Sequence, residues 1–166
     1  MRYTATIALH VHCPITKFVC LGVALLALCA AAEAKDIAVV VNKSNAVKSV
    51  SFADLSRMFK LKTRNWGSGR DILLVVRDPL SPAMKLPLRK LNMSTAEIKD
   101  LIASSRAHND ALVVMVVPSD EVLVKAVATN PGAIGLVDVY SITSAITVVR
   151  VDGKLPLEPG YALHGN

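Results

Sequence analysis

Once the first 34 residues are set aside, the residue types that most often carry chemistry are few in this sequence and poorly spaced for it. His108 and His164 stand far apart, without cysteine or carboxylate company at ligand spacing, and no zinc site is read from them. No G-x-S-x-G, H-E-x-x-H or P-loop occurs. Gly67-Ser68-Gly69 follows Asn65-Trp66 and offers a G-x-G without its third glycine, which reads as a turn. No nucleophile–base pair or carboxylate pair is spaced for catalysis, so the chain is read as a non-enzyme that needs no cofactor. Two short polar stretches remain as places for a ligand. One is Arg77-Asp78-Pro79-Leu80-Ser81 and the other is Asn42-Lys43-Ser44-Asn45. Each follows an apolar run, and in α/β sheets ligands collect at the carboxyl ends of strands, beside helix N-termini.

The apolar content, 52% of 166 residues, is concentrated at the front. Phe18 to Ala32 carries no charge and lies between Lys17 and Glu33. The run is shorter than the ~20 residues a membrane-spanning helix needs. Arg2 and Lys17 precede it, and Ala32-Glu33-Ala34 supplies an A-x-A site before Lys35. Residues 1–34 are therefore read as a secretory signal peptide and residues 35–166 as the domain, with a retained N-terminal anchor as the alternative. Cys13, Cys20 and Cys29 all fall in the leader, so the domain has neither disulfide nor thiol chemistry. A lipid-modified Cys29 is the lesser reading, because the bulky Leu28 stands where a small residue is usual. Without Arg2, Lys17 and Glu33, the net charge of +6 becomes +5. The basic residues are spread along the chain and aromatics are few, which reads as solvated surface, not as a nucleic-acid face. A domain of this length folds as one unit without covalent staples.

The elements that would hold the two polar stretches alternate. Asp36 to Asn42 is a β-branched run suited to a strand buried on both faces, as in a parallel sheet. Lys43 to Val50 reads as loop. Ser51, with Asp54 three residues on, opens a helix carrying Phe52, Leu55 and Phe59 at helical spacing. A basic loop containing Trp66 leads to a strand over Ile72 to Val76. Ser81-Pro82 fits an N-cap with proline at the first helical position, and Pro87 is expected to kink or interrupt that helix. Ser94-Thr95-Ala96-Glu97 is a capping box. Ala111 to Val117 is a third strand, and Ser119 caps a helix that Asn130-Pro131-Gly132 stops. Ala133 to Val139 and Ala145 to Val151 read as strands, and the tail after Gly153 as irregular. The fold class is α/β, with a mixed or mostly parallel sheet and helices on both faces.

In this order the segments resemble the phosphate-binding proteins of ABC transporters. Val40-Val41-Asn42, the helix Phe52-Ala53-Asp54-Leu55-Ser56-Arg57-Met58-Phe59 and the basic loop with Trp66 are similar to the family's extended segment, its "l-x-x-I-F" helix and its tryptophan loop. The strand leading to Arg77 and Ser81 matches the family's strand before an Arg and a Ser-Gly-Thr turn. Ser119-Asp120-Glu121 and Asn130 to Val137 are similar to "s-d-e…t-p-G-A-I-G-Y-V". The resemblance covers most of Ile37 to Val139 and implies a single periplasmic-binding-protein-like lobe.

The resemblance implies that Arg77 and Ser81 hold the oxygens of phosphate or a related oxyanion; Ser44, in the loop after the first strand, is a further candidate ligand residue from its position alone. An arginine fork donates paired, charge-assisted hydrogen bonds, and a serine hydroxyl donates without bulk. Pro82 and Ala83 replace the family's Gly and Thr, which removes an amide donor and a hydroxyl. On the residues alone, Arg77 fits equally well a surface arginine paired with Asp78 or Asp71. Ser81 fits a helix N-cap, Ser44 a plain loop residue and Lys85 a solvated lysine. The implied function is an exported, periplasmic solute-binding module that binds phosphate weakly, since one lobe lacks the clamp that excludes water. The implied partners are inorganic phosphate, an ABC transporter permease or another envelope protein, and a second copy of the chain forming a cleft. Nucleic acid and a membrane span after signal cleavage are not expected. The alternative is an envelope protein-interaction or structural module that kept the fold and lost the small ligand.

Overall fold

A computed structural model of the chain describes residues 35–107 and 113–165, which fall in one compact unit. The leader, its three cysteines, His108 and the first residues of the third expected strand lie outside the described residues. The elements in chain order are β1 (Ile37–Asn42), β2 (Ser49–Val50), α1 (Phe52–Phe59), β3 (Leu73–Arg77), α2 (Pro82–Lys90), α3 (Thr95–Ala107), β4 (Val114–Val117), α4 (Asp120–Thr129), β5 (Ala133–Asp138), a 3₁₀ turn (Val139–Ser141) and β6 (Ile146–Val151). The six strands form one sheet in the order β2-β6-β1-β5-β3-β4.

The continuous valine runs exist because both faces of the sheet are covered. Ile37, Val39 and Val41 of β1 join Leu74 and Val76 of β3 against α1, α2 and α3 on one face. Their neighbours Ala38, Val40, Leu73 and Val75 pack against Leu123, Val124 and Val127 of α4 on the other. Alternating side chains thus enter two cores, so no polar residue is wanted at either phase.

The sheet is mixed and mostly parallel. β2–β6, β3–β4 and β3–β5 pair parallel, whereas β1 pairs antiparallel with both β5 and β6. The expectation that the first run lies in a parallel arrangement is corrected in this respect: β1 is buried on both faces but runs against its neighbours. Two further expectations change. The stretch Lys43 to Val50 is not all loop, because Ser49 and Val50 pair with Arg150 and Val151. Pro87 does not interrupt α2, which runs through it. Proline at 87 withholds a hydrogen bond only from the carbonyl of Ala83, an exposed first-turn residue, and its own ring is buried.

Local capping follows the sequence signals at α1, α3 and α4. Ser51 Oγ accepts from Asp54 N at 3.0 Å and Ser119 Oγ accepts from Val122 N at 3.3 Å. Glu97 N donates to Ser94 Oγ, and Ser94 N donates back to Glu97 Oε2 at 2.6 Å. That returned bond, with Lys60 nearby, holds the Glu97 carboxyl below its ordinary range. The tail after β6 is irregular yet structural: Tyr161 and Leu163 are buried in the larger core.

Candidate functional site

The end of the sheet where β3 and β5 finish and β1 begins holds a cavity of about 280 Å³. Arg77, the last residue of β3, is on its wall, with Asp138 from the end of β5 and Lys35 and Ile37 from the start of β1. Asp120, the first residue of α4, and the first turn and a half of α2 complete it.

Arg77 Nη1 donates to Asp120 Oδ1, and Ser141 Oγ donates to Asp120 Oδ2 at 3.3 Å. The arginine's partner is therefore neither Asp78 nor Asp71. Asp78 accepts from Leu80 N at 2.9 Å and so shapes the β3–α2 turn, while Asp71 accepts from Asn65 Nδ2 at 2.7 Å. Four residues on, Ser81 occupies the N-cap position of α2 with extended backbone, but its hydroxyl makes no capping bond. Among the described residues, the buried side-chain polar atoms with no hydrogen-bond partner are Arg77 Nε and Ser81 Oγ. Buried polar atoms are nearly always satisfied, so two orphans on one turn are an informative departure. Ser81 itself stands behind the cavity wall, which begins at Pro82.

Ser44 is at the other end of the sheet. Because β1 runs against β5 while β3 runs with it, the residues after β1 and those after β3 emerge on opposite edges. The helix α4 measures the separation. Asn42 Nδ2 donates to Val127 O and Ala128 O at its C-terminal end, whereas Arg77 pairs with Asp120 at its N-terminal end. Ten helical residues span about 15 Å. Ser44 is engaged locally, its N–H and hydroxyl both donating to Asn42 Oδ1 at 2.9 and 2.8 Å. No ligand of phosphate size touches Ser44 and Arg77 together.

Asp120, Asp138 and Lys35 are the site residues that the sequence reading passed over. Asp120 had a signal, since it follows the cap Ser119 at a helix start and such starts gather at one sheet edge. Among the described residues, no group of three or more His, Cys, Asp or Glu could hold a metal ion, and no helix is long and apolar enough to cross a membrane.

No protein-family model and no curated protein matches the chain. Solved structures do. The ABC-type phosphate transport receptor from Vibrio cholerae superposes with a TM-score of 0.65 at 17% identity, over 80% of this chain and 54% of the receptor. PstS from Borrelia burgdorferi gives 0.62 at 16% identity, over 80% and 55%. A phosphate-binding protein from Stenotrophomonas maltophilia gives 0.57 at 20%, over 74% and 40%. The fold is that of phosphate-binding proteins of ABC transporters. The chain spans about half the length of these structures, and at such identities the likeness speaks for the fold. Trp66 and Gly132, two residues that carried the sequence resemblance, are joined here: the indole Nε1 donates to Gly132 O at 2.9 Å.

Proposed function

We propose that the chain is an exported solute-binding module whose Arg77 end holds phosphate or a related oxyanion, weakly. The observation that carries this reading is the pair of buried, unpartnered donors, Arg77 Nε and Ser81 Oγ, beside an open cavity. An oxyanion in the cavity supplies the acceptor that Arg77 lacks, Ser81 stands in the turn just behind it, and the start of α2 adds a favourable dipole. The solved neighbours are binding proteins, in keeping with binding and not catalysis. In this reading residues 1–34 are the export signal, the domain works in the periplasm, and a transporter permease or a second copy of the chain is its partner. Ser44 takes no part in this site. Weakness follows from Asp120, which already occupies one arm of Arg77, and from Pro82, which has no amide hydrogen to give.

Thermal unfolding of the purified protein across a phosphate titration tests this, with sulfate and chloride at matched ionic strength as controls. A ligand of the folded state at about 100 times its dissociation constant adds roughly 2.7 kcal/mol, a shift of several degrees for a domain of this size. The expected result is a phosphate-selective rise that disappears in Arg77→Gln and shrinks in Ser81→Ala. Equal shifts with all salts, or an undiminished shift in Arg77→Gln, would sink the proposal.

A specific feature favours the second reading, an envelope protein-interaction module. Leu80, Tyr140 and Leu157 are 68, 84 and 64% exposed, and all three emerge at this same end of the sheet. Co-purification of one stoichiometric envelope partner, unaffected by any anion and lost in Tyr140→Ser, would support it.

A further inference from the structure

The lining of the Arg77 cavity is mostly apolar, which is a poor match for a bare inorganic ion. Ile37, Pro82, Ala83, Leu86, Pro87 and Leu136 form six of its ten lining positions. The remaining four are Lys35 and Arg77 against Asp120 and Asp138, so the lining charges cancel. A cavity of about 150 Å³ holds a benzene molecule. At about 280 Å³ this one has room for an anionic head and a further apolar group of several heavy atoms. A free dianion here would give up hydration to hydrocarbon walls and face two carboxylates, with only Lys35 and the unspent part of the Arg77 guanidinium to offset them. A monoanion with an apolar body loses less and gains by covering the walls.

Resting on the oxyanion reading above, we infer that the preferred ligand is a small organic acid. Its single oxyanion head meets Arg77, with Lys35 on the same wall, and a short apolar substituent lies against Ile37, Leu86, Pro87 and Leu136. The head chemistry is shared by carboxylates and by alkylphosphonates bound as monoanions, whereas phosphate monoesters are mostly dianions at neutral pH. The body contributes through the side of α2, where Ala83 and Leu86 follow one another at helical spacing on the cavity wall.

Isothermal titration of the purified protein tests this with two homologous series beside inorganic phosphate and sulfate. One runs through methyl-, propyl-, butyl- and phenylphosphonate, the other through acetate, butyrate and hexanoate. Affinity is expected to rise about fourfold for each methylene buried, then level off once the cavity is full. The series with the steeper absolute affinity identifies the head group. Inorganic phosphate binding as tightly as butylphosphonate, with a flat series, would overturn the organic-acid assignment and leave the oxyanion reading standing. No response to any anion would overturn both. Ala83→Leu, at an exposed helical position that tolerates leucine, fills the cavity without burdening the fold. It is expected to flatten the chain-length dependence and to weaken phenylphosphonate more than tenfold. An unchanged slope in this variant would put the apolar body somewhere else and refute the assignment.

Discussion

In the proposed site Arg77 is a shared cation, already paired with Asp120, and that pairing sets how much of it an anion would receive. Two unit charges about 4 Å apart interact by roughly 1 kcal/mol in water, so removing a competing carboxylate strengthens anion binding about fivefold. Asp120→Asn keeps an acceptor for Arg77 and turns an amide donor toward the Ser141 hydroxyl, which can accept it, and is expected to tighten phosphate binding by that factor, with a steeper salt dependence. Weaker binding in this variant would mean that Asp120 positions the guanidinium more than it competes for it. A second residue-scale constraint lies at Gly132. A β-carbon there would run into the backbone carbonyl of Asp71, which cannot turn aside, while at Gly135 it would lie 2.7 Å from Leu123 Cδ2, the end of a side chain that can change rotamer, and 3.3 Å from Val75 O. Overpacking costs about 1–3 kcal/mol. Gly132→Ala is expected near the upper end and Gly135→Ala near the lower, as read by denaturant midpoints. Gly132→Ala should also disturb Trp66, whose indole bond ends on the same residue, giving a fluorescence change that Gly135→Ala lacks.

At the scale of elements, the start of α3 titrates in a defined direction. Ser94 N–H and its hydroxyl hold the Glu97 carboxyl below its ordinary range, so the folded state binds that proton less readily than the unfolded chain. The contribution is present above the ordinary glutamate value of about 4.3 and is lost as pH falls through the lower folded value. Glu97→Gln should therefore flatten the acid side of the stability curve below about pH 4.5 and leave its neutral side nearly unchanged. Capping boxes of this kind were legible because cap and partner lie three residues apart. The buried strands were legible because helices cover both faces and leave their apolar runs unbroken. The direction of β1 was not legible: Ile37–Val41 would read the same in either orientation, and its partners Ile134–Asp138 lie almost a hundred residues away. The site divided along the same line. Arg77 and Ser81 stood out through a local pattern, whereas the pairing with Asp120 spans 43 positions and leaves no mark near either residue. Ser44 was grouped with them because both segments follow strands, and the reversal of β1 separates them.

For the molecule as a whole, the irregular tail is what closes the larger core and fixes the start of β1. Leu157 N–H donates to the fully buried Asp36 at 2.6 Å, and His164 Nδ1 reaches the other carboxylate oxygen. Tyr161 OH donates to Ile37 O at 2.9 Å, and Ile37 N donates to Leu163 O at 3.3 Å. Burial pushes the Tyr161 phenol well above its ordinary range, so it remains a donor throughout the accessible pH range. Removing residues 156–166 would expose the area that Tyr161 and Leu163 cover, at about 1.5–3 kcal/mol each. It would also remove the hydrogen bonds that tie the tail to Asp36 and Ile37, at about 1 kcal/mol each. The sum is comparable with the 5–15 kcal/mol that holds a typical domain together. The truncated chain is expected to lose its cooperative thermal transition, whereas Tyr161→Phe, which forfeits one hydrogen bond, should cost about 1 kcal/mol. Because Lys35 and Ile37 are wall residues of the cavity, a weakened tail should also loosen the ligand site, and anion-induced stabilisation should fall in Leu163→Ala before folding is lost. A truncated chain that melts at the full-length temperature would show that β1 holds its place, and the cavity its wall, without the clasp.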